Sequence, residues 1–222
     1  MLARFSRHAS PKLKKIPDET TMSDFDLIRR RLDQQLAPPH RLQIEPERVR
    51  QAAVTLLLRE TSGKAETLII KRAEFEGDPW SGHLALPGGR AEAQDEDLLA
   101  TAAREMREEI GIDLLDAASP NGARTRFIGQ LPLIAPRNPG LPKIEITPLV
   151  ALAPPNPVIQ LSDEVESAFW VPISQLKREG PSATYFLRYE DLIIKRPAYP
   201  TERGLIWGIT ERILTNFLEL LD

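Results

Sequence analysis

The stretch from Leu98 to Ile110 is the strongest helix signal in this chain, and it carries three acids, Glu105, Glu108 and Glu109, at positions i, i+3 and i+4. A helix places all three carboxylates on one face. Leu99, Ala102, Ala103, Met106 and Ile110 form an apolar stripe on the other side, small enough to lie close against a sheet, and Gly111 stops the helix. A chain built around this element must bury one side of it and compensate the other. Glu105 facing Glu109 costs about a few tenths of a kcal/mol in an isolated helix. Pairing of a solvated acidic face with Arg104 and Arg107 is one form of compensation, and a bound cation is another.

The turn Leu86-Pro87-Gly88-Gly89-Arg90, just ahead of the helix, favours the cation. Its glycines let backbone approach the acidic face and offer carbonyl oxygens. Hard ions such as Mg²⁺ (or Mn²⁺) take carboxylates and carbonyls, with water and substrate phosphate completing the shell. The chain has no cysteine, which removes disulfides, thiolate metal sites and a cysteine nucleophile and leaves the chemistry to oxygen and nitrogen groups.

The rest of the chain supplies a mixed sheet around this helix. Ala52 to Leu58 and Thr67 to Lys71 are strand-length apolar runs joined across Ser62-Gly63, and they read as a hairpin. Ala73 to Leu86 reads as an ordered loop. Further strands are expected at Arg126 to Leu131, Ile144 to Ala151 and Ala168 to Val171, with a Pro-rich loop between the last two. Tyr185 to Tyr189 and Leu192 to Lys195 can pair, and Pro172 to Leu176 can begin a short helix. Two flanking helices complete the reading: one from the N-cap Ser23 to before Pro38-Pro39, and one from Leu205 to Leu221. The order of elements indicates an α/β (α+β) fold, a mixed sheet packed by helices. At 222 residues this is one main domain, residues 23–222, preceded by a basic leader, residues 1–22, expected to be disordered. Met22 is a possible second start.

From Glu96 onward the chain reads Glu, seven residues, then Arg104-Glu105-Met106-Arg107-Glu108-Glu109-Ile110-Gly111-Ile112. This resembles the Nudix hydrolase family, whose box runs Gly, five residues, Glu, seven residues, Arg-Glu, apolar, any, Glu-Glu, any, Gly, apolar. Every fixed position from Glu96 to Ile112 agrees, and the departure is at the front, where six residues separate Gly89 from Glu96. The resemblance implies an α/β/α sandwich and hydrolysis of a nucleoside diphosphate linked to another moiety. It implies Glu105 and Glu109 as principal metal ligands with Glu108 assisting, and a backbone carbonyl from Gly88-Gly89. Arg104 would hold the glutamates, and Glu96 would brace the loop. The general base would be Glu109 first, and Glu164, beside the Pro-rich loop, second.

Part of the sequence is also similar to a coenzyme A diphosphatase branch of that family. Arg72-Ala73, Gly82 and Pro87-Gly88-Gly89 match its upstream signature, whereas Ile70 and Leu86 replace a Thr and a Phe and a second Arg is missing. Coenzyme A or acyl-coenzyme A is therefore the leading substrate, with ADP-ribose, NADH or a dinucleotide as the alternative. Arg72, Arg90 and Lys71 are candidate phosphate clamps, because guanidinium forks suit phosphate oxygens. Trp80 and His83 are candidates to stack on or hydrogen-bond a nucleotide, or else pack the loop onto the body. Trp170 and Trp207, flanked by apolar residues, are assigned to the core.

A reading of another class, a nucleotide-binding regulator without turnover, is disfavoured because all the box glutamates are present. The net charge of −3 offers no footprint for a nucleic-acid partner, and no apolar run is long enough to span a membrane. The partner is thus a small-molecule nucleotide, with a homodimer through the terminal helices as a further possibility. The expected compartment is the cytoplasm, with the mitochondrial matrix as the alternative raised by the basic leader.

Overall fold

The computed structural model describes residues 21–36, 43–44, 49–78, 80–114, 125–136, 143–154, 156–189 and 192–222. The leader other than Thr21 and Met22, together with His8, Pro38, Pro39 and His40, lies outside the described residues.

The expected hairpin forms from β1 (Arg50–Thr61) and β2 (Lys64–Arg72), paired antiparallel from Leu58 opposite Thr67 to Thr61 opposite Lys64. Ser62 and Gly63 both take positive φ in the connecting turn. β1 also runs parallel to β6 (Ile144–Leu152), and β6 pairs antiparallel with β5 (Arg126–Gln130). On the other side β2 takes β7 (Val165–Pro172) and the two-residue β3 (Leu84–Ala85), so the loop expected from Ala73 to Leu86 ends in strand. The glycine turn is itself a strand, β4 (Gly88–Arg90), hydrogen-bonded to the start of β1 with Ala53 opposite Gly89. These seven strands form one mixed sheet.

Alternation along the central strands gives the sheet two apolar faces. Leu56, Leu58 and Ile69 belong to one cluster with Phe25, Ile28, Leu32, Leu176, Ile213 and Phe217. Leu57, Leu68 and Ile70 belong to the other, with Ala103, Met106 and Ile110. Strands buried on both faces require helices on both, which is why the central runs are continuously apolar. One face is covered by α1 (Asp24–Gln35), α3 (Ile173–Glu179) and α4 (Gly208–Glu219); the other is covered by α2 (Leu98–Ile110). The fold is an α/β/α sandwich. Ser23 caps α1, accepting from the Asp26 N–H at 3.1 Å.

The last element departs from expectation. Leu205 and Ile206 are not helical; they lie in β10 (Gly204–Trp207), which pairs with β9 (Leu192–Thr201), and β9 pairs with β8 (Ala183–Tyr189) in a second, three-stranded sheet. A turn closed by the Thr201 hydroxyl on the Gly204 carbonyl reverses the chain, and Gly208 at φ +72° separates strand from helix. An L side chain rarely adopts that φ, so the helix starts only at Gly208. Ile206 still reaches the core, from a strand.

Candidate active site

α2 begins at the N-cap Asp97, whose carboxylate accepts from the Ala100 N–H at 2.8 Å, and ends at Gly111 in the left-handed conformation. Met106 and Ile110 are buried as the stripe requires, while Leu99 is only half-buried. Glu109 is buried as well, at 3% exposure, on the side turned to β4. Its Oε2 accepts from the Gly88 N–H at 2.8 Å.

Both turn glycines are required by space. Gly88 has φ +143°, and a Cβ there would stand 2.3 Å from the Ala53 carbonyl oxygen. A Cβ on Gly89 would stand 2.4 Å from a carboxylate oxygen of Glu105. The absence of side chains at Gly88 and Gly89 thus lets two glutamates of α2 lie directly against backbone.

Arg104 organises the outer side of the cluster. Its Nε and one terminal nitrogen donate to the two oxygens of Asp95, each at 3.0 Å; the same terminal nitrogen reaches the Arg90 carbonyl at 2.9 Å. The other terminal nitrogen donates to Glu105 and Glu108, both at 2.9 Å. Asp95 also accepts from the Thr101 hydroxyl and the Glu92 N–H, each at 2.9 Å. Burial raises the Asp95 pKa, but these hydrogen bonds, led by Arg104, outweigh it and hold the carboxyl below its ordinary value. Arg104 is held even more firmly protonated than usual, chiefly by Asp95. The residue that ties the loop to Arg104 is Asp95, next to the Glu96 expected to brace the loop against the helix.

Glu164 approaches from a different loop. The Gln160 and Ser162 N–H groups donate to the carbonyls of Ile110 and Glu109 at 2.9 and 3.1 Å, docking the loop on the C-terminal end of α2. The Ala73 N–H donates to the Glu164 carbonyl at 2.9 Å, and the Glu164 side chain is exposed. Its charge is felt by both Glu105 and Glu109. Burial raises the Glu105 pKa, and burial pushes Glu109 up to about 8 despite the Gly88 hydrogen bond, with Glu105 and Glu164 adding repulsion.

Of the proposed clamps, Arg72 donates to Asp78 at 3.3 Å, its Nε is buried without a hydrogen-bond partner, and its charge favours ionised Glu109. Arg90 is exposed beside the cluster through its backbone bond to Arg104. Lys71 is engaged elsewhere, with Glu166 at 2.8 Å. Trp80 is exposed and His83 half-buried, with ring centroids 6.0 Å apart. Two further rings join them: Trp207 lies 4.9 Å from His83 and stacks on Tyr185 at 3.9 Å. Trp207 is therefore a half-buried member of this aromatic group, and not a core residue. Trp170 is also half-buried, with the Arg59 guanidinium 4.2 Å over its ring.

The NUDIX domain family matches residues 49–189, a span that contains β4, α2, Arg72 and Glu164. The chain belongs to the Nudix family. Membership implies pyrophosphohydrolase chemistry on a nucleotide-linked moiety. Among relatives, the chain is 28% identical over 182 residues to an uncharacterized Nudix hydrolase, NudL, of Salmonella heidelberg, covering 78% of this chain and 85% of that one. It is 36% identical over 112 residues to an uncharacterized protein of Schizosaccharomyces pombe, 49% of this chain and only 32% of the yeast protein's length. Of solved structures, a MutT/nudix family protein from Enterococcus faecalis superposes with a TM-score of 0.53 at 22% identity, covering 85% of this chain and 66% of that one. That likeness is one of fold.

Nudix proteins generally use divalent cations. Among the described residues no three acidic or imidazole side chains converge tightly enough to form a prepared metal cluster. The donor set nevertheless fits a hard cation. Glu105 and Glu109 are hard oxygen donors brought against the Gly88-Gly89 backbone, and the repulsion that Glu105 and Glu164 exert on buried Glu109 is what a cation would relieve. No helix among the described residues is long and apolar enough to cross a membrane.

Proposed function

We propose that this chain hydrolyses the diphosphate of an adenosine-diphosphate-linked substrate, with Glu105, Glu109 and Glu108 holding Mg²⁺ or Mn²⁺ beside the Gly88-Gly89 backbone. The observation that carries this reading is the burial of Glu109 against the side-chain-free backbone of Gly88 and Gly89, with Glu105 beside it. A carboxylate held that far from water is unfavourable unless it takes up a proton or a cation shares its charge.

When bound, the metal neutralises diphosphate oxygens and lowers the pKa of a coordinated water. The chain's own residues do the rest. Arg104, fixed by Asp95, holds the half-buried Glu105 carboxylate and the exposed Glu108 carboxylate in place. Glu109, held against the Gly88 N–H within the acidic cluster, is first in line to accept the proton of the attacking water, and Glu164 is second. The water oxygen bonds to phosphorus as the bridging oxygen leaves on the other phosphate. Arg72 and Arg90 take phosphate oxygens, and Trp80 with His83 takes the base.

ADP-ribose, NADH and dinucleotides all belong to the class that family membership supports. Coenzyme A, giving 3′,5′-ADP and 4′-phosphopantetheine, is the member supported by the partial signature at Arg72, Gly82 and Pro87-Gly88-Gly89. Incubation with coenzyme A, ADP-ribose, NADH and diadenosine polyphosphates in Mg²⁺, with products identified by mass, tests this. Cleavage of any of them at the diphosphate supports the class and names the member; tight binding with no cleavage favours the regulator reading instead.

A further inference from the structure

Among the described residues the three-stranded sheet ends in an unpaired edge, β8. Among the described residues β8 is paired on one side only, to β9. Its sequence, Ala183-Thr184-Tyr185-Phe186-Leu187-Arg188-Tyr189, holds no proline, glycine or lysine and a single charge, so it lacks the devices that usually blunt an edge strand. Phe186 is 60% exposed, and Leu192 and Ile193 on the adjacent β9 are 62% and 63% exposed. The side chains alternate: Thr184, Phe186 and Arg188 are exposed, while Ala183, Tyr185 and Leu187 are half-buried. A strand of this kind is a template for pairing with another strand.

We propose that β8 pairs antiparallel with β8 of a second copy of this chain, about a two-fold axis at Phe186. Phe186 is the middle residue of β8, so this register is the one that pairs all seven of its residues. It sets Phe186 against Phe186, Leu187 against Tyr185, and Arg188 against Thr184. The only charge on the strand thus meets a hydroxyl instead of another arginine. Aromatic and apolar cross-strand pairs of this sort are favourable, whereas like charges directly opposite are not. A three-stranded sheet becomes a six-stranded one, with Leu192 and Ile193 flanking the seam on both sides.

Two alternatives fit less well. The terminal helices have already spent their apolar faces: Phe25, Ile28 and Leu32 of α1 and Ile213, Leu214 and Phe217 of α4 lie in the chain's own core. A lipid surface would meet Arg188, Lys195 and Arg196, fewer basic side chains than the cluster of about four to eight that recognition of an anionic bilayer takes. The pairing also reaches the aromatic group near the active site. Tyr185, stacked on Trp207, would have Leu187 of the second copy as its cross-strand neighbour.

The absence of cysteine gives a test at the level of register. Directly opposed residues of an antiparallel pair have Cα atoms about 4.5 to 5.5 Å apart, inside the disulfide range of about 4.4 to 6.8 Å. Phe186→Cys should therefore form a covalent dimer on oxidation. Thr184→Cys, whose two copies would be offset by about 13 Å along the strands, should not do so alone but should cross-link when mixed with Arg188→Cys. Sedimentation velocity of the wild type at rising concentration should show a dimer, and Phe186→Asp should shift it to a folded monomer whose melting temperature no longer rises with concentration. A wild type monomeric throughout, a Phe186→Asp variant that still dimerises, or equal cross-linking at positions 184 and 186 would overturn the proposal. So would a monomer that co-sediments with phosphatidylcholine–phosphatidylglycerol vesicles.

Discussion

The Gly88 N–H donates to the carboxylate of Glu109 at 2.8 Å, across 21 residues of sequence, and this bond joins the glycine strand to the acidic helix. It is possible only because Gly88 and Gly89 have no side chain to hold the helix away. The two glycines differ in what replaces them. At Gly88 a Cβ would collide with the backbone of Ala53 and Val54 at φ +143°, neither of which can yield. Gly88→Ala should destabilise the protein by about 3 kcal/mol or more. At Gly89 the obstacle is the Glu105 carboxylate, the far end of a flexible side chain. Gly89→Ala should leave the urea midpoint nearly unchanged and lower turnover by displacing Glu105. Equal loss of stability in both variants would contradict this division.

Glu109→Gln removes the charge and keeps the shape. Turnover should fall by about two orders of magnitude or more, while the fold is retained; near-normal activity would sink the metal assignment. The same variant should report on pH. Glu109 titrates at about 8 in the folded protein against 4.5 ordinarily, raised mainly by burial. The folded state therefore binds the proton more tightly, and stability present below about pH 4.5 is lost as pH rises towards 8. In chelator-treated protein the melting temperature should decline over that window. The decline should be shallower in Glu109→Gln, where Glu105 and Glu211, both raised by burial, still contribute in the same direction. Added Mg²⁺ should recover the wild type at pH 8 more than the variant.

Asp95 and Arg104 form a two-pronged pair with side-chain exposures of 4% and 10%. Removing one member of a buried pair leaves the other uncompensated, at about 3 to 5 kcal/mol. Asp95→Ala should approach that figure and also lower turnover, since Arg104 would no longer be fixed beneath Glu105 and Glu108. Glu96→Ala, at an exposed position, should cost less than about 1 kcal/mol. Chemical denaturation of both variants decides between the two acids, and a larger loss at Glu96 would restore it as the brace.

The acidic helix was legible because its information is local: spacing of acids, an apolar stripe and a stop signal all lie within one segment. The hairpin of β1 and β2 was legible in the same way, from two apolar runs flanking the turn-prone Ser62-Gly63. Asp95 was obscured by counting. Seven residues back from Arg104 point to Glu96, but five residues on from Gly89 point to Asp95, and only the path of the loop decides which acid reaches the guanidinium. Trp207 was misplaced because Leu205-Ile206-Trp207-Gly208 fits the end of a strand and the start of a helix equally well. The two positive-φ glycines, Gly204 and Gly208, settle it, and periodicity does not register them.

His83 gives the aromatic group its own observable. Burial lowers its pKa from the ordinary 6.5; Asp78 opposes that shift and Arg72 adds to it. Trp207, 4.9 Å from the imidazole and braced by Tyr185, supplies part of the enclosure. Trp207→Leu should admit water beside the ring and move the His83 pKa back up towards 6.5, read by NMR titration of the imidazole. The sign for stability follows from the same shift. The unfolded chain takes up the proton near pH 6.5 while the folded one resists it, so stability present above that pH is lost as pH falls through the window below it. Trp207→Leu should flatten that part of the stability profile. An unmoved His83 titration would mean that Trp80 and the loop around Gly82 bury the imidazole without help from β10.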